Sequence, residues 1–293
     1  MGIKKVLYAV SFWERGYKGL LEILALKSVG LEEIFLLHVI PREEVSYVPF
    51  GGFLREKALE LAESARLKFK EWEKDILKAG LKCKILIEIG DPLAKILEIS
   101  EELEADLLAI GKEKTEKLFV SEITLQLIGR SKIPVLVYCH SLLKEPEGEA
   151  ILLENIQIFR RPILATDFSE NSIRSRDFIL NLKPLIEKVY VVHILKSDHI
   201  AGLTEEEVLS LEERLKSQLR ELSQPLDAQG IKEDLFLGLG EEPAREILEF
   251  AREKGGTLIV LGKTGKGFLQ KLLMGSVTSQ LIKMAEIPLL IVP

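Results

Sequence analysis

Cysteine, histidine and long apolar runs are all scarce in this 293-residue chain, and each scarcity excludes a class of protein. The two cysteines, Cys83 and Cys139, lie far apart and form no CxxC pair, so buried free thiols are expected instead of a disulfide framework or a thiolate metal site. Four scattered histidines give no support to a zinc cluster. No apolar run approaches the ~20 residues needed to span a bilayer. The start, Met1-Gly2-Ile3-Lys4-Lys5, enters a strand pattern and not a signal-peptide core, so a cytoplasmic protein with no membrane partner is expected. A basic excess is also lacking: the net charge is −6, which makes nucleic acid a poor partner.

What the chain does have is apolar residues, 47% of the total, and enough length for two domains with their own cores. It also has a repeat. In the first half, Val6 to Ala9, Glu33 to Ile40, Cys83 to Ile89, Asp106 to Ile110 and Ile133 to Tyr138 read as strands. Between them run helical patterns, Glu14 to Lys27 and one with apolar steps at Leu54, Ala58, Leu61, Ala65, Phe69, Trp72 and Ile76; Asp91-Pro92 opens a third. Pro41 to Gly52 reads as a loop. The second half runs through the same series: strands Ile163 to Thr166, Val189 to Leu195, Leu235 to Gly238, Thr257 to Leu261 and Pro288 to Val292, with helices from about Ser169, through Val208 to Leu222, and from Glu242-Pro243. Ser11 pairs with Asp167, His38 with His193, Gly90 with Gly240, Gly111 with Gly262, and Ile133-Pro134 with Ile287-Pro288, each pair 150 to 156 residues apart. This is a tandem duplication.

Strands alternating with helices predict an α/β fold, with parallel sheets covered on both faces and ligands at the carboxyl ends of the strands. The expected division is a first domain over residues 1–140, a polar, acidic linker over 141–159, and a second domain over 160–293. Within the linker, 150–159 is apolar enough to pack against something.

The stretch Gly262 to Pro293 carries the chemistry. It leaves an apolar strand, passes glycine-rich and basic residues including Lys263, Lys266 and Lys271, and re-enters a helix near Gly275-Ser276-Val277-Thr278. Glycines let a backbone approach a ligand, and a helix start with hydroxyls and unpaired N–H groups suits an anion. A P-loop is excluded, because Gly262-x4-Gly267 is followed by Phe268 where Lys-Ser/Thr is needed. A dinucleotide fingerprint should follow the first strand of its unit, and this loop follows the fourth.

The spacing Gly262-x2-Gly265-x9-Gly275-Ser276 resembles the ATP-binding signature of the universal stress protein family, Gly-x2-Gly-x9-Gly-Ser/Thr. Ile163-Leu-Ala-Thr-Asp167-Phe-Ser169-Glu170 is similar to the family's first strand and its Asp, and Val191-Val-His193-Ile194 to its second strand. The resemblance implies two tandem five-stranded sheets in the order 3-2-1-4-5, of the adenine nucleotide alpha hydrolase-like kind. It implies ATP as ligand. Asp167 would face the ribose or phosphates directly or through Mg2+, with Ala165 and Thr166 lining the pocket and the backbone of Ile194 against adenine. Gly262, Lys263, Thr264 and Gly265 would curl about the ribose and phosphates, while Gly275, Ser276, Val277 and Thr278 close on the phosphate tail. Pairing of the two halves, as two family monomers pair, and a homodimer are further implications.

The first half departs from that pattern. Ser11 replaces the Asp, Lys112, Glu113 and Lys114 follow Gly111 where a second glycine should come, and Ser121-Glu122 stands near the Gly-Ser position. Glu113, Glu116 and Glu122 put negative charge where phosphates would go, so this half is expected to be a degenerate copy that works by packing. Read alone, Asp167 is as good a helix cap as Ser169, and His193 is a satisfied strand-end histidine and not a base. The expected function is a nucleotide-dependent regulatory or stress-response module with one site, in the second half. Nothing resembling an activated nucleophile accompanies the loop, so rapid hydrolysis is not expected. Two other classes stay open: an interaction scaffold without nucleotide, and a slow ATPase.

Overall fold

A computed structural model of the chain describes residues 2–10, 16–47, 52–112, 122–139, 158–265 and 274–293, which divide into two units, 2–139 and 158–293. The expected landmarks Ser11, Glu113, Glu116, Ser121, Lys266 and Lys271, and 150–157 of the apolar linker segment, lie outside the described residues. Among the described residues, no helix is long and apolar enough to cross a membrane.

The N-terminal unit contains β1 (Lys5–Ala9), α1 (Gly16–Leu24), β2 (Glu33–Pro41), α2 (Arg42–Val45), β3 (Ser46–Tyr47), β4 (Gly52–Phe53), α3 (Arg55–Lys78), β5 (Lys82–Gly90), α4 (Pro92–Glu102), β6 (Leu107–Lys112), α5 (Glu122–Arg130) and β7 (Val135–Cys139). Its main strands pair in parallel in the order β5-β2-β1-β6-β7. The C-terminal unit contains β8 (Pro162–Ala165), α6 (Glu170–Asn181), β9 (Val189–Lys196), α7 (Glu205–Ala228), β10 (Glu233–Gly240), α8 (Pro243–Lys254), β11 (Leu258–Gly262), α9 (Ser276–Met284) and β12 (Leu289–Val292). Here the order is β10-β9-β8-β11-β12, again all parallel. Numbered within each unit, both read 3-2-1-4-5, so two tandem copies of one α/β fold are present.

Central strands in such sheets are covered on both faces, which is why they read as continuous apolar runs. Every residue of β8, the middle strand of its unit, is buried, whereas every residue of β10, at one end of the order, is half-buried or exposed. The helices supply one apolar stripe each: Ala58, Ala65, Phe69 and Ile76 are buried on α3, and Leu215, Leu219, Leu222 and Leu226 on α7. Leu54 does not join the stripe; it precedes α3 and is 39% exposed. Trp72 is half-buried, packing against Phe69, Tyr8 and Tyr17.

Two segments differ from the sequence reading. Pro41 to Gly52 is not all loop, since α2 makes one turn and β3 pairs antiparallel with β4; runs this short carry no period to read. The first helix stops at Leu24 and tightens into a 3-10 turn, Ala25–Val29, closed by Gly30 at φ 107. Elsewhere the local chemistry acts as expected. Asp91 caps α4 by accepting from Ala94 N at 2.7 Å, with Pro92 in the first turn. Ile158 and Phe159 are buried.

The two units also tie their first strands differently. Asp106, just before β6, accepts from Lys4 N and Lys5 N at 2.8 and 2.9 Å. The C-terminal unit has Gly256-Thr257 there, and Thr257 Oγ1 accepts from Arg161 N at 2.9 Å. A carboxylate has been exchanged for a hydroxyl that does the same task.

Candidate functional site

At the carboxyl ends of β8, β9 and β11, in the C-terminal unit, lies a cleft of about 270 Å3. Of the residues expected at a nucleotide site, Ala165, Thr166, Asp167, Ile194, Gly262, Thr264, Gly265, Gly275, Ser276, Val277 and Thr278 all line it. Lys263 does not. It is half-buried, burial pulls its ammonium pKa down, and its backbone works in the frame: N–H to Val292 O at 2.7 Å, carbonyl accepting from Gly275 N at 3.0 Å.

That second bond joins the two glycine clusters. A Cβ on Gly275 would stand 3.7 Å from Gly265 N, one on Gly262 would sit 2.6 Å from Asn171 Cβ, and one on Gly265 would collide with Asp167 Oδ2. Space is what glycine provides at Gly262 and Gly265; at Gly275, with φ −61 and ψ 149, a Cβ would meet only ordinary contacts, and the dihedrals are open to any residue. As the N-cap of α9, Gly275 has no side chain to offer, so the helix start carries no side-chain cap. The first-turn amides of Ser276, Val277 and Thr278 then form the end of a helix dipole at the cleft wall.

The two hydroxyls of this turn have different work. Ser276 is exposed, whereas Thr278 is 4% exposed and donates to Gly262 O at 3.0 Å, locking α9 onto the end of β11. Its side chain is therefore a tie more than a ligand donor.

Asp167 is not the cap of α6; Ser169 is, accepting from Ser172 N. Asp167 Oδ1 instead accepts from Ser169 N at 3.1 Å and from Ser172 Oγ at 3.0 Å, which turns Oδ2 toward Gly265. Between them Phe168 adopts φ 61, a left-handed conformation that costs a non-glycine residue roughly 1 kcal/mol. Two contacts hold it: its N–H donates to Thr166 Oγ1 at 2.9 Å, and its ring packs on His193 with centroids 4.6 Å apart. His193 Nδ1 in turn donates to Thr166 O at 2.7 Å, tying β9 to the end of β8.

Other lining residues escaped the sequence reading. Lys196 and His199 come from the end of β9 and the turn after it, and Pro243 and Ile247 from the first turns of α8. Pro243 and Ile247, with Ile194 and Leu261, supply apolar lining to the cleft. A signal existed for Pro243, which begins a helix at a strand's carboxyl end, but nothing local marks the others. Among the described residues, no group of three or more His, Cys, Asp or Glu side chains could hold a metal ion by itself.

Comparison with known proteins gives the same picture. A model of the universal stress protein family matches residues 2–138 and again 159–293. Universal stress protein MJ0531 of Methanocaldococcus jannaschii is 30% identical over 151 residues, covering 49% of this chain and 87% of that protein. Universal stress protein MJ0577 of the same organism is 29% identical over 154 residues, 46% of this chain and 93% of that one. Both relatives are thus about half as long as the present chain. The crystal structure of a universal stress protein from Archaeoglobus fulgidus aligns with 100% of this chain and 99% of its own, with a TM-score of 0.76 at 21% identity, a likeness of fold.

Proposed function

Since the chain belongs to the universal stress protein family, with a family domain in each half, we propose that it is an ATP-binding regulatory module of the stress response whose one competent site is the C-terminal cleft. One observation carries this reading: Gly262 and Gly265 stand where a side chain would have no room, and Gly275 opens a helix that has no side-chain cap of its own. Bare amides at such a place suit a polyphosphate. The apolar lining of Ile194, Leu261, Pro243 and Ile247 suits a purine ring.

In this reading Gly265, Gly275, Ser276 and Val277 hold the phosphates, Ala165, Thr166 and Ile194 border the base, and Gly262 and Thr264 lie along the ribose. Asp167 binds the ribose or a phosphate-bound Mg2+. A magnesium ion would come with the nucleotide, held by one carboxylate and phosphate oxygens. Asp167 Oδ1 and His193 Nδ1 are both engaged in the frame, which favours binding over proton transfer.

Isothermal titration of the purified chain with Mg-ATP tests the proposal. Saturable heat near one site per chain is expected. No heat at concentrations near millimolar would overturn it.

A further inference from the structure

Asn171, the second residue of α6, lies behind the cleft wall and is not among the residues that line it. Its side-chain amide nevertheless reaches across the fold. Nδ2 donates to Thr264 O at 3.0 Å and to Thr264 Oγ1 at 2.7 Å, so both amide hydrogens grip one residue of the glycine-rich loop. Gly262 allows that approach, because a Cβ there would meet Asn171 Cβ at 2.6 Å. The next residue, Ser172, holds the neighbouring carboxylate by donating to Asp167 Oδ1. Adjacent residues of one helical turn thus fix the loop and the carboxylate that lies against it at Gly265.

We propose that Asn171 is a positioning residue of the nucleotide site: it clamps Thr264 so that the Gly262–Gly265 backbone is already shaped to receive phosphate, without itself touching the ligand. This rests on the ATP-binding reading above. Both bonds end on a carbonyl or hydroxyl of the loop, so only a donor of this length serves. Leucine has nearly the same shape and no donor, which makes Asn171→Leu the informative change. Pre-shaping a loop raises affinity by removing the ordering cost at the moment of binding.

The effect should fall on the ribose and phosphates and spare the base. Titration of wild type and Asn171→Leu with Mg-ATP and with adenine separates the two ends of the ligand. Mg-ATP affinity is expected to fall about tenfold, as two modest hydrogen bonds imply, with adenine affinity unchanged. Thr264→Val should weaken Mg-ATP less, and its effect should largely vanish when added to Asn171→Leu, since both act on the same contact. Unchanged Mg-ATP affinity in Asn171→Leu overturns the clamp, and so does an equal loss for adenine, which would mean general damage. If wild type takes up no Mg-ATP, the functional reading falls and amide hydrogen exchange decides the clamp separately. Faster exchange at Thr264 and Gly265 in Asn171→Leu upholds it, and exchange at the wild-type rate overturns it.

Discussion

In the N-terminal unit, Val10 donates its N–H to Leu37 O at 2.9 Å and His38 Nδ1 donates to Val10 O at 2.9 Å. In the C-terminal unit, Thr166 donates to Val192 O at 2.9 Å and His193 Nδ1 donates to Thr166 O at 2.7 Å. The backbone stitching at the end of the first strand is the same; the side chains around it are not. Around Gly16 the N-terminal unit closes up, with Val10 Cγ1 and Trp72 Cη2 standing 3.0 and 3.1 Å from where a Cβ would be, and Tyr8 donating to Gly16 O. The C-terminal unit has Ser172 at the matching step, bonded to Asp167 beside an open cleft. Duplication preserved the frame in both copies, while one helix start became aromatic core and the other stayed polar. A frame alone therefore does not make a site.

The sharpest way to break that contrast is Gly265→Asp. It places a side chain and a second negative charge against Asp167 Oδ2, beside the C-terminal cleft. Mg-ATP binding should fall below detection by calorimetry, with the fold retained by circular dichroism. Retained affinity would place the phosphates elsewhere. The next effect concerns the strand ties. Asp106→Ala strands two backbone donors that face a carboxylate and should cost about 2 kcal/mol in urea unfolding, whereas Thr257→Ala strands one facing a hydroxyl and should cost about 1 kcal/mol. Equal losses would show that the two ties are not different solutions to one problem.

The smallest effect belongs to the matched histidines. Burial, opposed by the bond to Val10 O and by Glu44 and joined by Lys68, lowers the His38 pKa below its ordinary 6.5. A histidine depressed in the folded state contributes stability that is fully present above about pH 6.5 and is lost as pH falls through the folded value, because the unfolded chain binds the proton first. Unfolding free energy should therefore decline from pH 7.5 to pH 5, and His38→Gln should flatten that slope. An unchanged slope would assign it to other groups.

Much of this was legible in the chain. Apolar periods and the doubled order of landmarks are local properties, so strands, long helices and the repeat could be read directly. The glycine spacing named the cleft because close packing of backbone leaves a residue type as its trace. Asn171, Lys196, His199 and Ile247 left no such trace, since ordinary residues at ordinary helix and strand positions become neighbours only once distant segments converge. Thr278 was legible as a lining residue, but the bond from its hydroxyl to Gly262 O was not, because it joins residues 16 apart in the chain. That Thr257 stands where the first half has Asp106, a structural Asp, was legible; that its hydroxyl repeats the carboxylate's tie was not, because the two do one task with unlike chemistry.

The missing cap on α9 has one more consequence. A helix that begins on glycine with no side-chain acceptor gives up roughly a few tenths of a kcal/mol relative to one begun on serine or aspartate. An arriving anion would supply the acceptor that the polypeptide omits, so the guest completes the host's own secondary structure. Heat resistance would then rise with occupancy.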